Sequence, residues 1–253
     1  SLTLYDVSVN IYNNNADPLT TASGDTVIVA NNFTHTNGQL AGTWQVQGNY
    51  TVATTADGGT AGITFTGGNN QTYTDNGGNE PDGDVTVNKT PGSSVRLASN
   101  ADWNASGQDL TITSGELNMG ASYNISTTVL TVSADGHLSN NGTGDLILAG
   151  NVSNSGNIRF RSSGTCGGSD SISITSSTGG VQRTWSGSGV YLFHDVSVQD
   201  QGGSASITAY SSTSVSGNGV NWTFSGAACP AEGPAANVQS GVINVQSGTW
   251  YAR

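Results

Sequence analysis

The stretch at residues 109–160, DLTITSGELNMGASYNISTTVLTVSADGHLSNNGTGDLILAGNVSNSGNIRF, constrains this chain more than any other. Very short apolar alternations recur along it, each closed by a Gly- or Asn-bearing corner. Leu110/Ile112, Leu117/Met119, Leu130/Val132, Leu146/Leu148 and Ile158/Phe160 are pairs spaced by two, with lone Leu138 and Val152 among them. A spacing of two places both members on one face of a strand. The corners Ser114-Gly115, Asp135-Gly136, Asn141-Gly142, Ala149-Gly150 and Ser155-Gly156 suit turns that need positive φ. A hairpin this short has no core of its own, but a coil stacked on its neighbours does. Similar segments recurring about once per coil are the mark of a repeat architecture. The stretch therefore predicts successive turns of a parallel β-helix, with the rest of the chain continuing it.

Composition agrees with an all-β chain. Lys and Arg total 6 in 253 residues, Lys89 being the lone lysine, and the Lys- and Glu-rich stretches of surface helices are missing. The regular Val, Ile, Leu and Phe alternation argues against disorder despite the abundance of Gly, Ser, Thr and Asn. A formal net charge of −11 excludes nucleic acid as a partner, because phosphate binding needs clustered cations. No apolar run approaches the length of a membrane span. The chain begins at Ser1 without Met, as a processed product or an excised fragment does. The expected setting is secreted, extracellular or on a cell surface. Cys166 and Cys229 lie in Gly/Ser/Ala-rich surroundings without metal-ligand spacing. The expected outcome is one disulfide, closing a loop of roughly 60 residues and worth about 3–5 kcal/mol by loop entropy.

Internal repetition supports a solenoid. DVSV at residues 6–9, DVTV at 84–87 and DVSV at 195–198 match, with Asp6, Asp84 and Asp195 in equivalent places. Before the later two copies, ITFTGGNNQTYT at 63–74 parallels ISITSSTGGVQRTW at 172–185, aligning Gln71 with Gln182. Three related units follow, at about 1–83, 84–194 and 195–225, joined in one superhelix. After Gly226 the alternation stops. GAACPAEGPAA at 226–236 reads as a linker, and NVQSG recurs at 237–241 and 244–248 before Trp250-Tyr251. An apolar tip beyond a linker, and an opening strand without a capping helix, point to subunit joining by strand addition. The residues expected to make that junction are Leu2, Leu4, Val7 and Val9 at one end and Val238, Val242, Trp250 and Tyr251 at the other.

NVSNSG at 151–156, LSNNG at 138–142 and GDLIL between them resemble the short-coil repeats of filamentous-haemagglutinin and autotransporter-type adhesins. The DV[ST]V blocks followed by LTITSGELNM-like coils resemble giant repetitive bacterial surface proteins. The resemblance covers roughly residues 1–225 and is one of pattern. It implies a right-handed parallel β-helix, secreted, serving as a surface, adhesive or fibre component that joins with copies of itself.

Catalytic chemistry finds little foothold. A lyase on such a fold needs acidic calcium ligands with an Arg or Lys base, and a hydrolase needs converging carboxylates. Besides the terminal Arg253, the cations are only Lys89, Arg96, Arg159, Arg161 and Arg183, and no nucleophile elbow or phosphate loop occurs, so no catalytic residue is assigned. His35, His137 and His194 follow no ligand spacing. The loop DNGGNEPDGD at 75–84 sets Asp75, Asn79, Glu80, Asp82 and Asp84 around glycines, hard oxygen donors of the kind Ca²⁺ takes; the alternative is a solvated turn. Nine N-x-[ST] sequons start at Asn32, Asn49, Asn70, Asn88, Asn104, Asn124, Asn141, Asn151 and Asn221. Trp and Tyr exposed on a flat polar sheet would suit sugar stacking, making a glycan-binding module or a carbohydrate-active enzyme the rival reading. Against it, Trp103 and Trp222 sit inside apolar alternations and are expected to fill coil ends.

Overall fold

The computed structural model describes residues 1–11, 18–161, 166–169 and 172–226. Among these, every regular element is a β-strand and every registered strand pair is parallel. Parallel neighbours need a crossover between them, and here each crossover is the remainder of one coil. Near the start, β1 (Leu2–Leu4) pairs with β4 (Thr26–Val29), and β2 (Val7–Asn10) pairs with β5 (Phe33–Ala41). β3 (Leu19–Thr20) also lies on β5. Through successive registers, Leu2, Val27, Trp44, Ile63, Val85, Leu110, Leu130, Val152 and Trp185 stack in one column. Val7, Phe33, Tyr50, Tyr73 and Leu97 begin a second. Ala101, Ile125, Leu146, Ile174 and Val198 form a third, on a separate six-stranded sheet. The architecture is solenoid-like, with three columns of inward side chains meeting in one core.

The alternation read from sequence is what the burial records. Leu110, Ile112, Leu117, Met119, Leu130, Leu138, Leu146, Leu148, Val152, Ile158 and Phe160 are all fully buried, while the residues between them face outward or toward corners. Each such side chain contributes about 1.5–3 kcal/mol of burial. Aromatics also pack from coil to coil. Phe33 lies 5.1 Å from Trp44 and 5.0 Å from Tyr50, Tyr50 lies 5.7 Å from Tyr73, and Tyr73 lies 5.2 Å from Trp103. Trp185, Phe193 and Trp222 repeat the device near the other end. Trp44, Trp103, Trp185 and Trp222 are thus interior and have no face for sugar; Trp250 lies outside the described residues.

Corners explain the Asn and Asp content. Asn100 Oδ1 accepts the Asn124 N–H at 3.0 Å, Asn124 Oδ1 accepts that of Asp145 at 2.7 Å, and Asp145 Oδ1 accepts that of Ser173 at 2.7 Å. Asp6, Asn32 and Asn49 form a second such run, ending on the Thr72 N–H. Each side chain satisfies a backbone donor just before or at the start of a strand on a following coil. The sequence separations run from 17 to 33 residues, which is the uneven coil length foreseen from the spacing. Of the repeated aspartates, Asp6 and Asp84 make this bond, the latter to the Asp109 N–H, whereas Asp195 accepts from the Gly167 N–H and lies 2.9 Å from His194 Nδ1.

One expectation about polar residues changes. Gln71 and Gln182 are not equivalent. Gln71 is buried and its Nε2 donates to the carbonyls of Val46 and Gly48, while Gln182 is exposed and reaches Gly217. The buried counterpart of Gln71 is Gln108, whose Nε2 donates to Pro81 and Gly83. Lys89 is also buried, donating to the Thr66 carbonyl at 2.7 Å and to Gln71 Oε1. Burial pushes its ammonium down to about 8. No free cysteine occurs among the described residues; Cys229, the expected partner of Cys166, lies outside them.

Candidate functional site

A groove of about 600 Å³ is lined by four chain segments, at Gln39, 57–60, 75–82 and 102–105. Asp57, Asp75, Glu80, Asp82 and Asp102 line it with Gln39, Asn79 and Asn104, and none of its lining residues is Lys, Arg or His. Its wall is the loop 76–84. Asp75 Oδ1 accepts the N–H groups of Gly77 and Gly78 at 3.0 and 3.1 Å, which turns the chain back on itself. Gly78 is obligatory here, since a Cβ would meet the Ala53 carbonyl at 1.9 Å. Asn79 then bridges to Asp57, the Asp82 N–H donates to Gly59 at 2.7 Å, and Gln108 holds Pro81 and Gly83 from behind.

Four of the five expected calcium ligands, Asp75, Asn79, Glu80 and Asp82, share this groove; Asp84 does not line it. The donor set does not close into a cage. Asp75 Oδ1 and Asp84 Oδ1 are turned onto backbone N–H groups, and the Glu80 carboxyl is turned inward. Among the described residues, no group of three or more His, Cys, Asp or Glu is arranged to hold a metal ion.

Glu80 is the residue sequence reasoning undervalued. Its Oε1 accepts the Asp102 N–H at 3.3 Å, while Oε2 is buried. Burial raises the carboxyl to about 7; the charges of Asp75 and Asp102 add to this, and the Tyr73 hydroxyl and Asp102 N–H pull the other way. Tyr50 and Tyr73 lie behind it, both buried, and their phenols are pushed well above the ordinary range by burial and then by the Glu80 charge. The only hint in the sequence was a Glu next to a Pro in an otherwise Asp- and Asn-bearing loop.

At the N-terminal end, β1 is paired on one side only among the described residues. Leu2 is 55% exposed, Leu4 38%, and Tyr5 71%; Leu19 on β3 is 39% exposed. Val7 packs partly against the core and Val9 is buried within it. Val238, Val242, Trp250 and Tyr251 lie outside the described residues. His35 and His194 are buried and His137 is exposed, and the three are dispersed over different coils. No family model, curated protein or solved structure matches this chain. Among the described residues no helix is long and apolar enough to cross a membrane.

Proposed function

We propose that the protein is a structural component of an extracellular surface: a right-handed parallel β-helix that serves as a rod or adhesin stalk and joins end to end with copies of itself. The observation that carries this reading is the N-terminal edge, where β1 is paired on one side only among the described residues and Leu2, Leu4 and Tyr5 are exposed. An open parallel edge with apolar side chains is a template for another strand. A second copy suits it, because the parallel stacking that joins coils inside the chain continues across such a junction without a change of geometry. The acidic surface, free of cationic clusters, keeps separate rods from packing side by side. The resemblance to adhesin repeats points the same way.

The test is assembly state. Negative-stain microscopy and light scattering across a concentration series should find end-to-end rods for the native chain. Leu2→Asp with Leu4→Asp should abolish them while circular dichroism remains that of a folded β-protein, and deletion of residues 237–253 tests the other end. Rods that persist in both variants, or a native chain monomeric at every concentration, refute the reading.

The acidic groove supports a second reading, a glycan-binding module. A concavity of this size lined by carboxylates and amides suits neutral or amino sugars and repels the acidic glycans a lyase takes. A glycan array separates the two readings.

A further inference from the structure

We propose that Asn104 is the attachment point for an N-linked glycan, the one N-x-[ST] sequon of nine that the fold leaves open to a glycosyl transferase. The inference rests on the extracellular setting proposed above and not on self-assembly.

The coil itself explains why sequons are so common. Asn32, Asn49, Asn70, Asn124, Asn151 and Asn221 each stand immediately before a strand. The first strand residue points into the core and the second to the other face, so a corner Asn, an inward residue and a Ser or Thr spell a sequon. The inward residue is buried in all six: Phe33, Tyr50, Gln71, Ile125, Val152 and Trp222. Asn88 precedes the buried Lys89 in the same way. These Asn side chains are engaged as well. Those at 32, 49, 70, 124 and 151 accept a backbone N–H from a following coil, Asn88 accepts the Ser114 hydroxyl, and Asn221 donates to the Gly203 carbonyl. A transferase working on a folded protein takes its acceptor from a surface loop. These seven cannot reach it without drawing a buried side chain out of the core.

Two sequons remain. Asn141-Gly142-Thr143 is a turn packed onto a neighbouring coil. A Cβ at Gly142 would meet the Ala121 carbonyl at 1.9 Å, the Thr143 N–H donates to that carbonyl at 2.8 Å, and Asn141 Oδ1 accepts from Arg161 Nε at 3.3 Å. Asn104-Ala105-Ser106 differs. It lies between the strands Ala101–Trp103 and Asp109–Asn118, its Asn and its Ser are both exposed, and neither side chain makes a hydrogen bond among the described residues. The bonds that hold this turn are made by the Ala105 backbone, to Gln108 and to the Thr128 hydroxyl. Gly107 beyond it has open space where a Cβ would stand. The two groups a transferase must recognise, the Asn104 carboxamide and the Ser106 hydroxyl, therefore face solvent.

The co-reactant is a lipid-pyrophosphate-linked oligosaccharide. Asn104 Nδ2 forms a bond to the anomeric carbon and gives up one proton. The bond from that carbon to the pyrophosphate oxygen breaks, and its electron pair leaves with the lipid pyrophosphate. The sugar would stand at the mouth of the acidic groove, which Asn104 lines with Asp102.

The folded full chain, incubated with an oligosaccharyl transferase and that donor, should acquire a glycan on Asn104 and on no other sequon, read by mass-spectrometric peptide mapping. A peptide digest of the same chain should accept at further sequons, because strand and corner no longer hold them. Asn104→Gln should lose the glycan from the folded chain, and Ser106→Ala should lose it with Asn104 still in place. A folded chain modified at any of the other eight, or left bare while its digest is modified, overturns the proposal. So does a digest modified at Asn104 alone, which would assign the choice to local sequence and not to the fold. Assembly is measured on the unmodified chain, so the end-joining reading stands or falls separately.

Discussion

Replacing Glu80 with Gln should remove a specific pH dependence from the stability of this protein. Glu80 titrates at about 7 in the folded chain against an ordinary value of 4.5, because burial disfavours its charged form. Between those two values the unfolded chain has already lost the proton that the folded chain keeps. Stability is therefore full below about pH 4.5, falls as pH rises, and has lost the whole increment above about pH 7. A displacement of this size corresponds to roughly 3 kcal/mol. Gln keeps the shape and the acceptor for the Asp102 N–H but cannot ionise. The assay is urea unfolding of both proteins at several pH values from 4 to 8.5, read as the difference between them so that the other carboxylates cancel. Glu80→Gln should gain on the native chain by roughly 3 kcal/mol across the range, about 2–4 °C in Tm for each kcal/mol at this size. Parallel stability curves for the two proteins would refute the inward-facing, desolvated carboxyl.

Four further outcomes are expected. Gly59→Ala should destabilise strongly, because φ is +108° and a Cβ would meet the Leu40 carbonyl at 2.1 Å; Gly77→Ala, at φ +92° with open space around it, should cost only the about 1–2 kcal/mol of a left-handed residue, and equal losses in thermal unfolding would contradict this. Lys89→Ala should cost about 2–5 kcal/mol by leaving a void and stranding the Thr66 carbonyl and Gln71 Oε1. Because the folded chain sheds the Lys89 proton at about 8 and the unfolded chain at 10.5, native stability should rise with pH between those values, and a K89A chain should lack that rise in denaturant titrations. Mass spectrometry of an unreduced digest should recover a peptide joining Cys166 to Cys229, with Tm falling on reduction; two free thiols would exclude the bridge.

The strand pattern was legible in the sequence because a period of two is a local property. Leu110 with Ile112, or Leu146 with Leu148, must share a face in any extended chain, and a chain made of such pairs has no core until coils stack. The all-β class and the uneven coil length followed from that alone, and so did the interior places of Trp103 and Trp222; of the five glycine corners only Gly115 takes a positive φ, and Gly115 and Gly136 lie within continuous strands. Which coil stacks on which, and in what register, was decided only by the tertiary structure. Gln71 and Gln182 occupy matching places in the repeat, yet one is buried and the other exposed, because a corner carbonyl array lies beneath only the first. The acidic loop read as five equivalent oxygen donors. Folded, Asp75 and Asp84 serve backbone N–H groups, Asp82 faces the groove, and Glu80 turns inward against two tyrosines that precede it in the chain. Burial and partner choice depend on side chains from other coils, and no local pattern encodes them. The sequence by itself therefore determined what repeats in this protein, and the stacking of its coils determined where the repeat is broken by a groove, a buried lysine and an inward-facing acid.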